Sequence, residues 1–254
     1  MEDKMKPVKF CCERDGLTIR GSVFGISQER RPAVILSHGF LANSKMCKTY
    51  AKLLASMGYV SVIFDFCGGG LMSSSDGRSE DMTLFTEVED LKAVISYMKT
   101  QPYVIPERIS LLGCSQGGVV SAFVAKEDGF TPEKLILLYP ALCIPDDARK
   151  GKMMFYSFDP ANIPDILGSL PMKLAGAYAS EVIDMDIFTS LKGYEGEVLY
   201  LHGTKDNIVD ISYARRASEI FPQREYHEIE GGGHMFKGRA DEEACGYIKA
   251  FMEL

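Results

Sequence analysis

The chain predicts an α/β fold, a mostly parallel eight-stranded sheet with helices on both faces and an inserted cap. Three observations predict it: short apolar runs rich in β-branched residues recur along the 254 residues, stretches of helical period separate them, and a hairpin signal precedes them. Strands that alternate with helices in this way pair in parallel through crossover connections.

The elements follow in order. KFCCERDGLTIRGSVFG, from Lys9 to Gly25, reads as a hairpin turning at Asp15-Gly16, which suits an antiparallel edge to the sheet. VILSHG (34–39), YVSVIFDF (59–66), RISLLGCS (108–115), KLILLYP (134–140) and EVLYLHG (197–203) are apolar throughout, as strands covered on both faces must be. EYHEIEG (225–231) reads as the last strand. Between strands, Tyr50, Leu53, Leu54 and Met57 repeat at helical spacing, as do Leu84, Val88, Leu91, Ile95 and Met98. A final helix from about Glu242 offers Ala244, Tyr247, Ile248 and Phe251 to the sheet. The stretch from Cys143 to Lys192 breaks the rhythm with Pro145, Pro160, Pro164 and Pro171, and a structureless connection of that length is unusual, so it is expected to fold as a cap. No second domain boundary is visible, and residues 1–254 read as one domain.

Composition narrows the function classes. Hydrophobic residues make up 46% and charged residues 25%, a globular balance that can bury a core without staples. Lys and Arg number 28 against 35 Asp and Glu, a net charge of −7, which argues against nucleic acid or an anionic membrane as partner. No run approaches the roughly 18 to 20 apolar residues of a spanning helix, and MEDKMKPVKF has no leader-like apolar stretch, so a cytoplasmic protein is expected. The seven cysteines are scattered without paired CxxC spacing, and they read as free thiols of a reducing compartment. A homodimer is left open.

Chemistry concentrates at the strand ends. Gly113-Cys114-Ser115-Gln116-Gly117 fits G-x-S-x-G and stands between a strand and a helical stretch, where a tight turn would expose Ser115 Oγ. The bland alternative is a serine capping the helix. A serine hydroxyl needs a base to become a nucleophile, and the base needs an orienting acid. Of the four histidines, His38, His202 and His227 lie in or at the ends of strands, whereas His234 sits in the loop EGGGHMF just after the last one. His234 is the candidate base. Asp206 lies just past the carboxyl end of EVLYLHG, where ligands bind in open α/β sheets. Its rival Asp210 is sufficiently explained as a helix cap.

Acyl transfer also needs preplaced N–H donors for the oxyanion. Gln116, the residue after the nucleophile, is one candidate; Phe40, in the His38-Gly39-Phe40 turn, is the other, with Leu41 as a substitute. His38 is read here for its backbone, not its ring. Gly68-Gly69-Gly70 fits no phosphate-binding pattern, Asp76 and Asp81 read as a solvated turn and helix start, and no metal and no cofactor is expected.

With these residues in place the chain resembles the bacterial cinnamoyl and feruloyl esterases of the α/β-hydrolase superfamily. The likeness covers nearly the whole chain and is carried by the His38-Gly39-Phe40 turn, DGRSEDMT from Asp76, the GCSQGG elbow, YPA from Tyr139, FDPANIPD from Phe158, and the HGTKD and GGGH loops. The resemblance implies hydrolysis of small carboxylic esters through an acyl-enzyme, with the cap walling the acyl pocket. It also implies recognition of a phenolic acyl group by acidic or hydroxyl side chains, for which Asp146, Asp147 and Tyr178 are the candidates, with Phe155, Tyr156 or Phe158 as aromatic neighbours. Two rivals stand beside an esterase: an acylpeptide or amide hydrolase of the same fold, and a non-catalytic binding protein built on it.

Overall fold

The computed structural model describes residues 6–169 and 172–253, so Pro171 of the cap lies outside the described residues. The hairpin forms as expected. Strands β1 (Val8–Arg14) and β2 (Leu17–Phe24) pair antiparallel across Asp15 and Gly16, whose φ angles of 51° and 80° suit a two-residue turn. The sheet continues through β3 (Arg31–Ser37), β4 (Val60–Phe64), β5 (Val104–Cys114) and β6 (Lys134–Leu138).

In the cap stretch the chain makes only short pieces: helix α4 (Ile144–Arg149), a hairpin of β7 (Lys152–Met153) and β8 (Tyr156–Ser157), and a second of β9 (Ile166–Leu167) and β10 (Leu174–Ala175). Helices α5 (Ala177–Ser180) and α6 (Ile187–Ser190) follow. Strands β11 (Glu197–Gly203) and β12 (Gln223–Ile229) complete the main sheet, whose order is β1-β2-β4-β3-β5-β6-β11-β12. Only β2 runs against its neighbours in this sheet of eight; the pairs from β4 to β12 are all parallel.

Strand alternation divides the core in two. Ala33, Ile35, Leu111, Leu135 and Tyr200 face one layer, with Val88, Leu91, Ile95 and Met98 of α2 (Leu84–Lys99) and Val119, Val120 and Phe123 of α3 (Gln116–Ala125). Val34, Leu36, Leu112, Ile136 and Leu199 face the other, against Tyr50 and Leu54 of α1 (Lys48–Ser56) and Ala244, Ile248 and Phe251 of α8 (Arg239–Glu253). Period two in the strands and period 3.6 in the helices thus meet at both faces. Helix α8 starts three residues before the expected Glu242, and Tyr247 stays partly exposed, stacked on His227 with ring centroids 3.9 Å apart. Helix α7 (Ile211–Ser218) joins β11 to β12. Among the described residues no helix is long and apolar enough to cross a membrane.

Parallel pairing puts the carboxyl ends of β3, β5, β11 and β12 at one edge of the sheet. Phe40, Ser115, Gln116, Asp206 and His234 follow those ends, whereas Asp146 and Asp147 follow β6 on α4 and Tyr178 lies on α5.

Candidate active site

Ser115 stands between β5 and α3 with φ 53° and ψ −121°, a conformation that strains a residue carrying a side chain. The turn exists because its flanks are bare. A Cβ at Gly113 would run into the backbone of Gly117 and Gly118, and one at Gly117 into the carbonyl oxygens of Ser37 and His38. The elbow is pinned to β6, since Ser115 N–H donates to Leu138 O at 2.9 Å and Ser115 O accepts from Ala141 N–H at 3.0 Å.

The loop after β12 brings His234 to this serine. Ser115 Oγ–H donates to His234 Nε2 at 2.9 Å, and His234 Nδ1–H donates to Asp206 Oδ2 at 2.8 Å. Asp206 is held in turn: its Oδ1 accepts from the N–H groups of Ile208 and Val209, each at 2.9 Å. His202 Nε2 lies 3.4 Å from Oδ2 while donating to Val209 O at 2.9 Å. Burial pushes the Asp206 carboxyl up, but the hydrogen bond and electrostatic attraction of His234 and the two backbone donors outweigh it and hold the group below the ordinary carboxylate range. An anionic Asp206 keeps the His234 proton on Nδ1 and leaves Nε2 free to accept. The Tyr139 ring meets the imidazole edge-on at 4.9 Å, closing its other side. Asp210 is elsewhere occupied, as the cap of α7, accepting from Ser212 N–H at 2.9 Å.

Phe40 and Gln116 line the same cavity as Ser115. Gln116 opens α3, so its N–H lies in the first helical turn with no intrahelical acceptor. Phe40 follows the His38-Gly39 turn. Among the described residues neither N–H has a hydrogen-bond acceptor. The Gln116 side chain is fixed at both ends: Nε2 donates to Glu87 Oε2 at 2.8 Å, and Oε1 accepts from the Tyr178 hydroxyl. These three side chains tie α2, the elbow and the cap together.

Above the serine lies a cavity of about 560 Å³, walled mainly by apolar side chains of the cap and by the segments around Phe40 and Met235. Asp147 and Tyr178 line it, whereas Asp146 does not. The expectation for Asp146 is corrected here. Its carboxylate is taken by Arg149 Nη2 and the Tyr213 hydroxyl, both at 2.5 Å, because adjacent residues of α4 point about 100° apart and only one can face the cavity. Of the aromatic neighbours, Phe155 lines the cavity, while Tyr156 is buried and donates its hydroxyl to Met172 O.

Three residues of the site escaped the sequence reading. His38, read for its backbone, uses both ring nitrogens: Nδ1 lies 2.8 Å from Gly39 O, and Nε2 accepts from Phe66 N–H at 3.1 Å. His202 supports the Asp206 loop. Glu87 carried a signal, since it falls within the apolar stripe of Leu84, Val88 and Leu91, where a solvated carboxylate has no place. Asp76 ties the edge hairpin to its loop, accepting from Thr18 N–H and pairing with Arg20 at 2.6 Å.

Comparison with known proteins agrees with this fold. The family described as Hydrolase_4, serine aminopeptidase S33, matches residues 28–178, more than half of the chain. The solved structure of Est1E from Butyrivibrio proteoclasticus with ferulic acid bound superposes with a TM-score of 0.87 at 29% identity, over 96% of this chain and 97% of that one. The AB hydrolase superfamily protein YisY of Bacillus subtilis is 26% identical over 238 residues, 80% of this chain and 85% of its own. Polyketide transferase ATR5 of Stachybotrys chlorohalonatus is 34% identical over 116 residues, 45% of this chain but only 38% of the transferase. The chain therefore spans well under half the length of the first curated relatives it matches. The chain belongs to the Hydrolase_4, serine aminopeptidase S33 family and is an α/β hydrolase.

Proposed function

We propose that the chain is a serine carboxylic-ester hydrolase that works through an acyl-enzyme, with esters of phenolic, hydroxycinnamate-type acids as its substrate class. The observation that carries this reading is the continuous relay from Ser115 through His234 to a buried Asp206, with links of 2.9 and 2.8 Å at the floor of the cavity. In the first half-reaction His234 Nε2 takes the Ser115 proton as Oγ bonds to the ester carbonyl carbon. The N–H groups of Phe40 and Gln116 receive the oxyanion, and His234 returns the proton to the leaving alcohol oxygen. Water repeats the sequence on the acyl-enzyme and releases the acid.

Substrate class rests on the cavity and on the likeness to Est1E. Its mostly apolar walls suit a planar acyl group, and the acceptor oxygens of Asp147 and Tyr178 suit a phenolic hydroxyl. The Tyr178 proton is committed to Gln116 Oε1, so Tyr178 offers a substrate an acceptor and not a donor. A neutral phenol fits such a site, whereas a methyl ether cannot supply the proton. A cytoplasmic setting suits the scattered, odd-numbered thiols.

Amide hydrolysis is the second reading, favoured by the family description. Kinetics on methyl ferulate, methyl p-coumarate, p-nitrophenyl esters and an aminoacyl p-nitroanilide, with Ser115→Ala as control, separate the two. Preference for the hydroxycinnamates, lost by several orders of magnitude in Ser115→Ala, is expected. Preference for the anilide would replace the ester reading, and turnover untouched by the substitution would remove the serine mechanism.

A further inference from the structure

His38 is fully buried at the carboxyl end of β3, and its ring has two fixed partners. The Phe66 N–H can only donate, so Nε2 must be an acceptor and the ring proton must sit on Nδ1. Nδ1–H then donates to the carbonyl oxygen of the next residue, Gly39, at 2.8 Å. Burial, which lowers the proton affinity of the imidazole, keeps the ring in this neutral form. The Phe66 ring packs edge-on against it, with centroids 4.9 Å apart, so the imidazole cannot turn freely.

An amide is planar, and in its trans form the carbonyl of one residue and the N–H of the next point in opposite directions. Whatever holds Gly39 O therefore aims Phe40 N–H. Gly39 O is held by His38 Nδ1–H and by the N–H of Ala42 at 3.2 Å, while Phe40 N–H has no acceptor among the described residues, and both Gly39 and Phe40 line the cavity. Gly39 also approaches the nucleophile closely, since a Cβ there would fall 2.9 Å from Ser115 Cβ. We infer that His38 is a positioning residue: its ring locks the Gly39–Phe40 peptide plane so that Phe40 N–H stands ready for an oxyanion formed at Ser115. The inference rests on the serine-hydrolase reading above.

Two substitutions split the ring's two bonds. In His38→Asn the side-chain amide can occupy the place of Nδ1 and keep a donor for Gly39 O, while Phe66 N–H is orphaned. In His38→Gln the longer amide can reach the place of Nε2 and keep an acceptor for Phe66 N–H, while Gly39 O loses its side-chain donor. Each variant loses one buried hydrogen bond, so a purely structural role predicts similar losses in both. The readouts are kcat and KM for methyl ferulate and p-nitrophenyl acetate, the rate at which a fluorophosphonate probe labels Ser115, and Tm for each variant.

A positioned donor acts on the transition state, so His38→Gln is expected to lower kcat and the labelling rate about tenfold or more while KM moves about threefold at most. His38→Asn is expected to recover most of both rates, even with a Tm as low as that of His38→Gln. Equal rate losses in the two variants, or a larger loss in His38→Asn, would overturn the inference and leave the hydrolase reading standing. A wild-type chain that neither labels at Ser115 nor hydrolyses any ester would remove both.

Discussion

Replacing Glu87 by glutamine should stabilise the fold, and by more as the pH rises. Glu87 lies on α2 with 1% of its surface exposed, accepting at Oε2 from Gln116 Nε2 at 2.8 Å. Burial pushes its carboxyl well above the ordinary range; the Gln116 hydrogen bond pulls the other way, and the charge of Asp90 adds to the rise. The folded chain therefore keeps a proton that the unfolded chain releases near the ordinary glutamate value of about 4.3. A raised pKa of this kind contributes stability fully below the unfolded value and loses it as the pH climbs towards the folded value. The loss runs at about 1.4 kcal/mol per pH unit, because unfolding there sheds one proton, and it levels off beyond the folded value.

Glutamine has nearly the same shape, can accept the Gln116 bond through its carbonyl oxygen, and has no proton to lose. At pH 4 the two proteins should agree within about 1 kcal/mol, the usual scale for one net hydrogen bond. As the pH rises above the unfolded value the variant should gain on the wild type, at up to about 1.4 kcal/mol per pH unit until the folded value is passed, since every other titrating group is common to both and cancels. Urea denaturation at half-unit steps from pH 4 to 8 measures the difference directly. A stability difference that stays flat across that range, or one that turns against the variant as the pH rises, would refute the assignment of a neutral Glu87.

Other perturbations test the site itself. Asp206→Asn should lower kcat by about three to four orders of magnitude with little change in KM: the amide NH2 would face His234 Nδ1 and favour the tautomer that protonates Nε2, which steady-state kinetics detects. In Gly117→Ala the new Cβ meets the carbonyl oxygens of Ser37 and His38, so the elbow must move. A displacement near 1 Å should cost about a hundredfold in kcat/KM, and calorimetry should show a lower Tm. Tyr178→Phe leaves Gln116 Oε1 without its donor, and should cost about 1 to 3 kcal/mol in denaturant titrations. The same change should lower the preference for methyl ferulate over p-nitrophenyl acetate, and an unchanged preference would remove Tyr178 from acyl recognition.

Much of this architecture was legible because burial on both faces leaves a plain mark. EVLYLHG is β11 residue for residue, and the stripe from Leu84 to Met98 is the buried face of α2. Both follow from a side chain's distance to its neighbours along the chain, which a period can encode. The stretch from Cys143 to Lys192 was legible only as a break in rhythm, because two-residue strands such as β7 and β10 are too short to show any period. Asp146 and Asp147 were indistinguishable in sequence because the rotation between them depends on how α4 is docked.

The three side chains of the Ser115–His234–Asp206 relay were legible for a reason that also explains what was missed. Ser115, Asp206 and His234 each follow a strand, and parallel pairing in the order β5-β6-β11-β12 brings the ends of those strands level, although 119 positions separate Ser115 from His234. Place along the chain then fixes place in the sheet. The supporting groups have no such rule. Glu87 meets Gln116 from a helix on one face, and the His38 ring turns back on its own neighbour's carbonyl. A His-Gly pair after a strand reads as a turn whichever way its ring points. Only the partner of the second ring nitrogen, the Phe66 N–H from the end of β4, decides which nitrogen carries the proton and so which carbonyl it holds. A residue that acts through another is legible only once the contact between the two is known.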